Sequence, residues 1–364
     1  MNKVALLIPC YEPNDKVLGF LKQFKEDDFD YFLLVNDGSG EKYDSIFSSI
    51  DQETVFNLLY YGKNKGKGGA LKTGIEYILN EKPDIDCIVT CDSDGQHTYE
   101  DILNVKNRAN IEPNSLVMGV RQFSKENVPA RSKFGNNFSK IYFKLVTKTN
   151  CRDTQTGLRA IPSCLFDLAL NTLGNRFDYE MNFLLEAVKE VPLAQVDIST
   201  VYEPKGEHKS HFKTLKDSFL IYKTPILYVL ISTISFFIDI GIFALLSTFV
   251  FNDNSEQQVF LSNLVCRIIS GLFNFLMLNF IVFRTKGNTV SKALKYWLLW
   301  LINYGLGSSL TYLFEFLPMA LSFIKIIIDA IIAILNYIIN LTFVFARRKS
   351  KKKEILKKGE VMNI

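Results

Sequence analysis

The 364-residue sequence predicts an α/β domain with a mostly parallel sheet, followed by an all-α membrane domain of four transmembrane helices. In the first part, short apolar runs ending in polar or glycine-bearing residues alternate with stretches whose apolar positions recur at helical spacing. Near residue 225 the composition changes from mixed and charged to largely apolar. The content of 48% hydrophobic residues, with 30 Phe, fits a soluble domain joined to a membrane domain.

Five apolar runs are the candidate strands of the first domain. They are residues 4–8, 31–35, 55–60, 85–91 and 116–120. The helix-like stretches between them include residues 17–24 and 70–79. Ligands of parallel sheets bind outside the carboxyl ends of the strands. We therefore expect the polar residues that follow these runs to gather at one edge of the sheet.

A pair of carboxylates two residues apart, Asp92-Ser93-Asp94, follows the fourth run. Such a pair offers hard oxygen ligands to a divalent cation that keeps open positions for phosphate oxygens. The same residues also suit a strand-to-helix turn with a helix N-cap, because residues 99–103 look like a helix start. The pair alone does not decide between the two interpretations.

The glycine-rich segment Asn64-Lys65-Gly66-Lys67-Gly68-Gly69 follows the third run. Glycines allow backbone N–H groups to approach a diphosphate, although a basic loop that caps the next helix has the same composition. The sequence contains neither G-x-G-x-x-G nor a P-loop, which disfavours a nicotinamide or ATP site.

Six motifs occur in an order that resembles the family 2 glycosyltransferases of the polyprenyl-phosphate sugar synthase type (dolichol-phosphate mannose synthase or GtrB-like). They are Pro9-x-Tyr11-Glu12, Val35-Asn36-Asp37-Gly38-Ser39, Asn64-x-Gly66-Lys67-Gly68-x-Ala70-Leu71, Asp92-x-Asp94-x-Gln96-His97, Gly119-x-Arg121 and Asp153-Thr154-Gln155-Thr156-Gly157-Leu158-Arg159. The resemblance covers about residues 1–215 and implies a GT-A-like, Rossmann-like catalytic domain.

The resemblance also implies a nucleotide-sugar site and a metal site. The nucleotide-sugar residues are Pro9, Tyr11, Glu12, Asp37, Lys67, Asp92 and Ser93. The metal ligands are Asp92, Asp94 and Gln96, and an all-oxygen set implies Mg²⁺ or Mn²⁺. His97 matches the motif but is not assigned as a ligand. For Asp37, an ordinary turn explains the composition equally well.

The catalytic residues implied by the resemblance are Asp153, Asp94, Arg121, Arg131 and Glu180. Arg121 and Arg131 match arginines that receive the phosphate of the acceptor, although either residue could instead form a surface ion pair. Asp153 would act as base or orient the acceptor; an Asx-turn before a strand at residues 157–161 is the alternative. A phosphate monoester nucleophile is already anionic and needs no strong base. Glu180 and Asp178 open a helix, where carboxylates are favoured anyway.

Four apolar stretches are long enough to span a bilayer: about residues 226–251, 259–283, 296–317 and 319–346. They form two tandem pairs, because Asn274-Phe275 and Val282-Phe283 recur as Asn336-Tyr337 and Val344-Phe345. This half resembles the GtrA-like four-helix domain, which is associated with polyprenyl-linked sugars. The acidic first connection and the basic second connection place both termini in the cytoplasm by the positive-inside rule.

The expected domains are a catalytic domain at residues 1–215, a linker at 216–225, the membrane domain at 226–346 and a basic cytoplasmic tail at 347–364. Residues 131–148 and 212–223 place apolar and basic stripes side by side, which suits helices at an anionic interface or helices packed on the core. The six Cys include no Cys-x-x-Cys pair, which favours a reducing cytoplasm for the catalytic domain. The net charge of +4 does not indicate nucleic-acid binding.

We therefore expect a multi-pass protein of the cell membrane that transfers a hexose with inversion from a nucleotide sugar, in particular UDP-glucose, to undecaprenyl phosphate for cell-envelope glycans. The expected partners are the nucleotide sugar, the polyprenyl phosphate and the membrane; a homo-oligomer is compatible with the sequence. A lipid-linked sugar flippase whose soluble half only binds is one alternative. A processive polysaccharide synthase is the other, but Trp297 and Trp300 lie in a membrane span rather than in a Gln-x-x-Arg-Trp-type motif.

Overall fold

The structure is a computed structural model that describes residues 2–121, 130–199, 219, 222–250, 256–284, 288–313 and 321–345. Its contacts divide the chain into two compact units, Met1–Ile221 and Tyr222–Ile364. The basic tail expected at residues 347–364 and most of the stripe expected at residues 212–223 lie outside the described residues.

The first unit is built on a seven-stranded sheet in the order β3-β2-β1-β4-β6-β5-β7. The strands are β1 (Val4–Cys10), β2 (Tyr31–Asn36), β3 (Asn57–Tyr60), β4 (Cys87–Thr90), β5 (Leu116–Arg121), β6 (Arg159–Pro162) and β7 (Leu193–Ile198). β6 is antiparallel to β4 and β5, whereas the pairs on either side are parallel. The mostly parallel sheet predicted from the sequence is therefore confirmed.

Seven α-helices accompany the sheet in the described part of the first unit. They are α1 (Lys16–Leu21), α2 (Asp44–Glu53), α3 (Lys67–Glu81), α4 (Tyr99–Ile111), α5 (Ala130–Thr147), α6 (Phe166–Asn171) and α7 (Asp178–Ala187). α3 begins three residues earlier than the predicted helix, directly on Lys67. α1 ends at Leu21, before the predicted end at residue 24. The Phe24 ring packs beyond the helix among Phe20, Phe32 and other aromatic rings.

The two faces of the sheet carry separate apolar cores, as expected when helices cover both sides. Val4, Leu6 and Ile8 of β1 face one cluster, whereas Ala5 and Leu7 face the other. Strand alternation thus divides β1 between the two cores. Burial on both faces explains why the central strands read as continuous apolar runs in the sequence.

The second unit consists of four helices and two π-helical turns in the described residues. The helices are α8 (Lys223–Phe249), α9 (Glu256–Met277), α10 (Thr289–Leu313) and α11 (Leu321–Ile339), and the turns are Leu278–Val282 and Asn340–Val344. Two described segments, Lys223–Phe249 and Leu261–Val282, are long and apolar enough to cross a membrane. The third and fourth predicted spans extend beyond the described residues, so the count of four spans stays a prediction.

The tandem pairs expected from the sequence occupy equivalent local structures. Each π-helical turn ends just before an aromatic residue of the repeated motif, Phe283 after the first turn and Phe345 after the second. These two rings stack with a centroid distance of 4.8 Å and an interplanar angle of 17°. The repeated motif therefore builds the aromatic core of this unit, around which Phe275, Tyr228 and Tyr296 are also buried.

The close packing of α3 on the sheet at Gly74 can be tested by substitution. A Cβ atom at Gly74 would lie 2.4 Å from Leu7 Cδ1 and 3.1 Å from Val35 Cγ2, whereas a Cβ atom at Gly19 in α1 meets nothing within 4 Å. Gly74→Ala should lower the free energy of unfolding by about 1–3 kcal/mol through overpacking. Gly19→Ala should leave it unchanged or raise it by about 0.5–1 kcal/mol. Thermal unfolding followed by circular dichroism measures both, and equal midpoints for the two variants would contradict the packing described.

Candidate functional site

Hydrogen bonds join the segments that follow β1 and β2, at the end of the sheet where the carboxyl ends of the parallel strands lie. The Asp37 backbone N–H donates to the Cys10 carbonyl at 2.8 Å, and the Glu12 backbone N–H donates to Ser39 Oγ at 3.0 Å. Glu12 adopts a positive φ of 48°, which is uncommon for a residue with a side chain. Three of the residues predicted to bind the nucleotide, Tyr11, Glu12 and Asp37, therefore lie in two adjoining loops, and a fourth, Pro9, lies at the end of β1.

Asp37 is 2% exposed and holds the loop that leads to α3. Its Oδ1 accepts from the Tyr61 hydroxyl at 2.6 Å and from the Lys65 backbone N–H at 2.7 Å, and its Oδ2 accepts from the Gly66 backbone N–H at 2.9 Å. Burial and this carboxylate raise the pKa of Tyr61. The structure thus gives Asp37 a positioning role that the sequence did not reveal; its predicted contact with base or ribose stays a prediction.

The glycines around Lys67 are needed for close packing. A Cβ atom at Gly66, whose φ is 86°, would lie 2.6 Å from the Asn175 carbonyl oxygen, and one at Gly68 would lie 2.3 Å from Tyr179 Cβ. The Gly69 backbone N–H donates to the same Asn175 carbonyl at 2.9 Å. These contacts seat the first turn of α3 against the segment before α7, which brings Lys67 next to Glu180.

Lys67, Asp92 and Glu180 form an ion cluster at the sheet edge. The Lys67 Nζ lies 2.6 Å from Asp92 Oδ1 and 3.0 Å from Glu180 Oε2, and the three side chains are 16%, 29% and 11% exposed. Burial by itself would lower the pKa of Lys67, but the two carboxylates outweigh it and hold the pKa above its ordinary value. Burial would likewise raise the pKa of Asp92, but Lys67 and His97 hold it below its usual range.

The remaining predicted metal ligands lie on the same loop as Asp92. Asp94 Oδ1 accepts from the Gln96 backbone N–H at 3.1 Å, and burial together with the Asp92 carboxylate raises the pKa of Asp94. His97 Nε2 lies 3.8 Å from Asp92 Oδ2, and neither nitrogen of this ring, which is 3% exposed, has a hydrogen-bond partner within the described residues. Ser93 lies on this loop too, half-buried.

The chemistry of this loop fits a divalent cation. It provides two carboxylates that destabilise each other's charge, an amide oxygen from Gln96 and a buried imidazole without a partner. Across the residues that the structure describes, no three His, Cys, Asp or Glu side chains converge on a ready-made metal site. One oxygen of Asp92 is already paired with the Lys67 ammonium.

Asp153 is fully buried and holds the guanidinium of Arg121 at the end of β5. Arg121 Nε donates to Asp153 Oδ2 at 2.6 Å, and Nη2 donates to Oδ1 at 3.1 Å. The Gln155 backbone N–H also donates to Oδ1 at 3.1 Å. This bidentate pairing favours orientation of Arg121 over proton abstraction as the role of Asp153. Arg131 begins α5, but its side chain lies outside the described residues.

Two residues after Asp153, Gly157 in the loop and Arg159 at the start of β6, were missed as site residues by the sequence reasoning. A Cβ atom at Gly157 would lie 2.5 Å from Asp92 Oδ2, so only glycine leaves room for that carboxylate. Arg159, 2% exposed, donates to the backbone carbonyls of Thr156 at 3.0 Å and Glu180 at 2.8 Å. Arg159 therefore ties the Asp153 loop to the first turn of α7. The sequence signal that could have identified Gly157 and Arg159 is their position within the sixth motif, residues 153–159.

Two family models match the chain: "Glycosyl transferase family 2" over residues 6–166 and "GtrA/DPMS, transmembrane domain" over residues 227–345. UDP-N-acetylglucosamine–dolichyl-phosphate N-acetylglucosaminyltransferase of Methanococcus voltae is 28% identical over 55% of this chain and 86% of its own length. Human dolichyl-phosphate beta-glucosyltransferase is 26% identical over 54% of this chain and 67% of its own length. Glucosyl-3-phosphoglycerate synthase from Mycobacterium tuberculosis, solved with Mn²⁺, uridine diphosphate and phosphoglyceric acid, is 14% identical with a TM-score of 0.46, covering 64% of this chain and 78% of that chain.

The Arg121–Asp153 pair can be tested by a double-mutant cycle. Arg121→Gln and Asp153→Asn should each lower the free energy of unfolding by about 3 kcal/mol, because each leaves a buried partner uncompensated. The double variant should lose at least about 1 kcal/mol less than the sum. Denaturant unfolding followed by circular dichroism measures the free energy of unfolding of the wild type, the two single variants and the double variant.

The exposed pair Arg152–Asp197, with side chains 48% and 50% exposed, provides the matched control. Its coupling should stay below about 0.5 kcal/mol, because water screens exposed charges. Additive effects at Arg121 and Asp153, no larger than those of the control, would show that the buried pair does not form.

Proposed function

Because the chain carries a family 2 glycosyltransferase domain joined to a GtrA/DPMS transmembrane domain, we propose that it transfers a hexose from a nucleotide sugar to a polyprenyl phosphate at the membrane. The observation that carries the proposal is the ion cluster of Lys67, Asp92 and Glu180. Arg159 ties it to the loop that holds Asp153 and thereby Arg121, since it donates to the backbone carbonyls of Glu180 and Thr154. This edge combines a diphosphate-binding half with a candidate acceptor half.

The names of two relatives support a lipid phosphate as acceptor, since both are transferases that act on dolichyl phosphate. In this chain, α5 supports the same acceptor class, because Ile141 and Leu145 on it are 61% and 47% exposed. Exposed apolar side chains beside Lys140 and Lys144 suit an anionic lipid interface. UDP-glucose as donor and undecaprenyl phosphate as acceptor are the finer proposal.

The reaction replaces one phosphate ester at C1 of the sugar by another. An oxygen of the lipid phosphate attacks C1 from the face opposite the leaving group, the bond from C1 to the nucleoside diphosphate breaks, and the configuration inverts. The nucleophile is already anionic, so no residue has to remove a proton from it. This agrees with an Asp153 that is buried against Arg121. Arg121, held by Asp153, would orient the acceptor phosphate.

The leaving diphosphate needs compensation for its developing charge. Lys67 lies at the first position of α3, where the helix dipole also favours an anion. We expect its ammonium to move from Asp92 to the diphosphate when the donor binds. Asp92, Asp94 and Gln96 would then hold Mg²⁺ or Mn²⁺, a cation that supplies electrostatic stabilisation of the leaving group.

The proposed domains are those expected from the sequence, with the catalytic domain and both termini in the cytoplasm. Arg284, Lys292 and Lys295 support this topology, because they lie in or next to the connection between α9 and α10. Positive residues are retained on the cytoplasmic side of membrane proteins.

The proposal is tested by incubating the detergent-solubilised full chain with Mg²⁺, a panel of nucleotide sugars, and either undecaprenyl or dolichyl phosphate. Mass spectrometry should show a lipid-phosphate sugar from one donor. Asp94→Asn should lower turnover by about 10²-fold or more, because charge stabilisation at the leaving group is lost. Asp51→Asn, an exposed aspartate in α2, is the matched control and should retain full turnover. Binding of nucleotide without product from any donor and either lipid would favour a binding-only soluble half.

A further inference from the structure

Gln155, in the Asp153 loop, is a residue to which the proposed transfer gives no role. Its backbone N–H donates to Asp153 Oδ1 at 3.1 Å, and its side-chain Nε2 donates to Ser139 Oγ at 3.2 Å. Gln155 is exposed, whereas Ser139 is fully buried on α5. One glutamine therefore contacts both the carboxylate that holds Arg121 and a helix that lies earlier in the chain.

The helix that Gln155 contacts, α5, has two distinct faces. Ser139 and Phe143, four residues apart, are fully buried, and Phe143 belongs to the apolar core of one sheet face. Ile141 and Leu145, also four residues apart, are 61% and 47% exposed. Residues four apart share a helix face, so α5 has one face in the core and one apolar face outside it. A lipid that contacts the outer face therefore contacts the helix that carries Ser139.

The other contact of Gln155 reaches the guanidinium of Arg121 through a single oxygen atom. Asp153 Oδ1 accepts from the Gln155 backbone N–H and from Arg121 Nη2, each at 3.1 Å. Hydrogen bonds weaken steeply when their geometry is distorted, so a shift of the Gln155 backbone changes the oxygen that orients Arg121. The side-chain bond to Ser139 restrains that shift. The contacts thus run from α5 through Gln155 and Asp153 to Arg121.

We propose that Gln155 is a positioning residue for the lipid acceptor, which fixes the Asp153–Arg121 pair relative to α5 through its hydrogen bond to Ser139. When a lipid phosphate places its chain against the exposed apolar face of α5, this bond holds Arg121 in register with the phosphate. Holding a reactant and its binding group in one geometry lowers the entropic cost of the reaction. The inference rests on the proposed function, because that proposal assigns the acceptor phosphate to Arg121.

Steady-state kinetics of the full chain in lipid nanodiscs test the inference, with undecaprenyl phosphate and whichever nucleotide sugar of the panel gives product. Ser139→Ala and Gln155→Met should each raise KM for the lipid about fivefold or more and change KM for the donor by less than about twofold. The double variant should be no worse than the weaker single variant, because both substitutions remove the same bond.

Gln195→Met is the matched control. Gln195 lies in β7 and holds the segment before Asp153, because its Nε2 donates to the Asn150 carbonyl at 3.0 Å and its Oε1 accepts from the Arg152 backbone N–H at 2.8 Å. Gln195→Met removes a comparable side-chain bond without touching the bond to α5. It should change KM for the lipid by less than about twofold.

Hydrogen exchange followed by mass spectrometry gives a second measurement that needs no turnover. Adding undecaprenyl phosphate should slow exchange of the backbone amides of residues 153–158 in the wild type but not in Ser139→Ala. Equal slowing in both proteins, no slowing in the wild type, additive KM effects, or an equal rise of KM for donor and lipid would overturn the inference. Product formation with any of these results would leave the transfer reaction standing. Slowing that requires Ser139, without product from any donor, would do the reverse.

Discussion

The Asp92 carboxylate is the constraint on which the arrangement of this site depends. It places a partly buried negative charge just after β4, and such a charge requires compensation. Lys67 compensates it from the first turn of α3, which packs against the segment around Asn175 and Tyr179 because Gly66 and Gly68 lack side chains. His97 and Gly157 enclose the other side of the carboxylate. Three chain segments thus meet at this one carboxylate.

The proposed acceptor half of the site shows the same compensation with the signs reversed. Arg121 places a cation at the end of β5, and the buried Asp153 neutralises it with two charge-assisted hydrogen bonds. Arg159 joins the halves, because it binds backbone carbonyls of both the Asp153 loop and the first turn of α7, where Glu180 contacts Lys67. In the proposed reaction the Arg121 cation is therefore already oriented by Asp153, whereas the Lys67 ammonium must leave Asp92 to reach the diphosphate.

Much of the fold could be predicted because the central strands are buried on both faces and their apolar runs are continuous. β7 was missed, since Leu-Ala-Gln-Val-Asp-Ile is only partly buried and contains two polar residues. The pairing of Asp153 with Arg121 could not be read from the sequence, because it depends on β6 entering the sheet antiparallel beside β5. The hydrogen bond from the Tyr61 hydroxyl to the buried Asp37 could not be predicted either, because it too depends on tertiary structure. Motif order identified which residues gather at the edge, but not which of them hold others in place.

The most direct test of the account is a structure of the full chain with uridine diphosphate and Mn²⁺. The account predicts that the Lys67 ammonium leaves Asp92 Oδ1, now 2.6 Å away, and contacts the diphosphate, while Asp92 and Asp94 hold the cation. It also predicts that Asp153 remains paired with Arg121. A nucleotide bound at this edge with the Lys67–Asp92 pair intact, or a nucleotide bound elsewhere on the first unit, would contradict it.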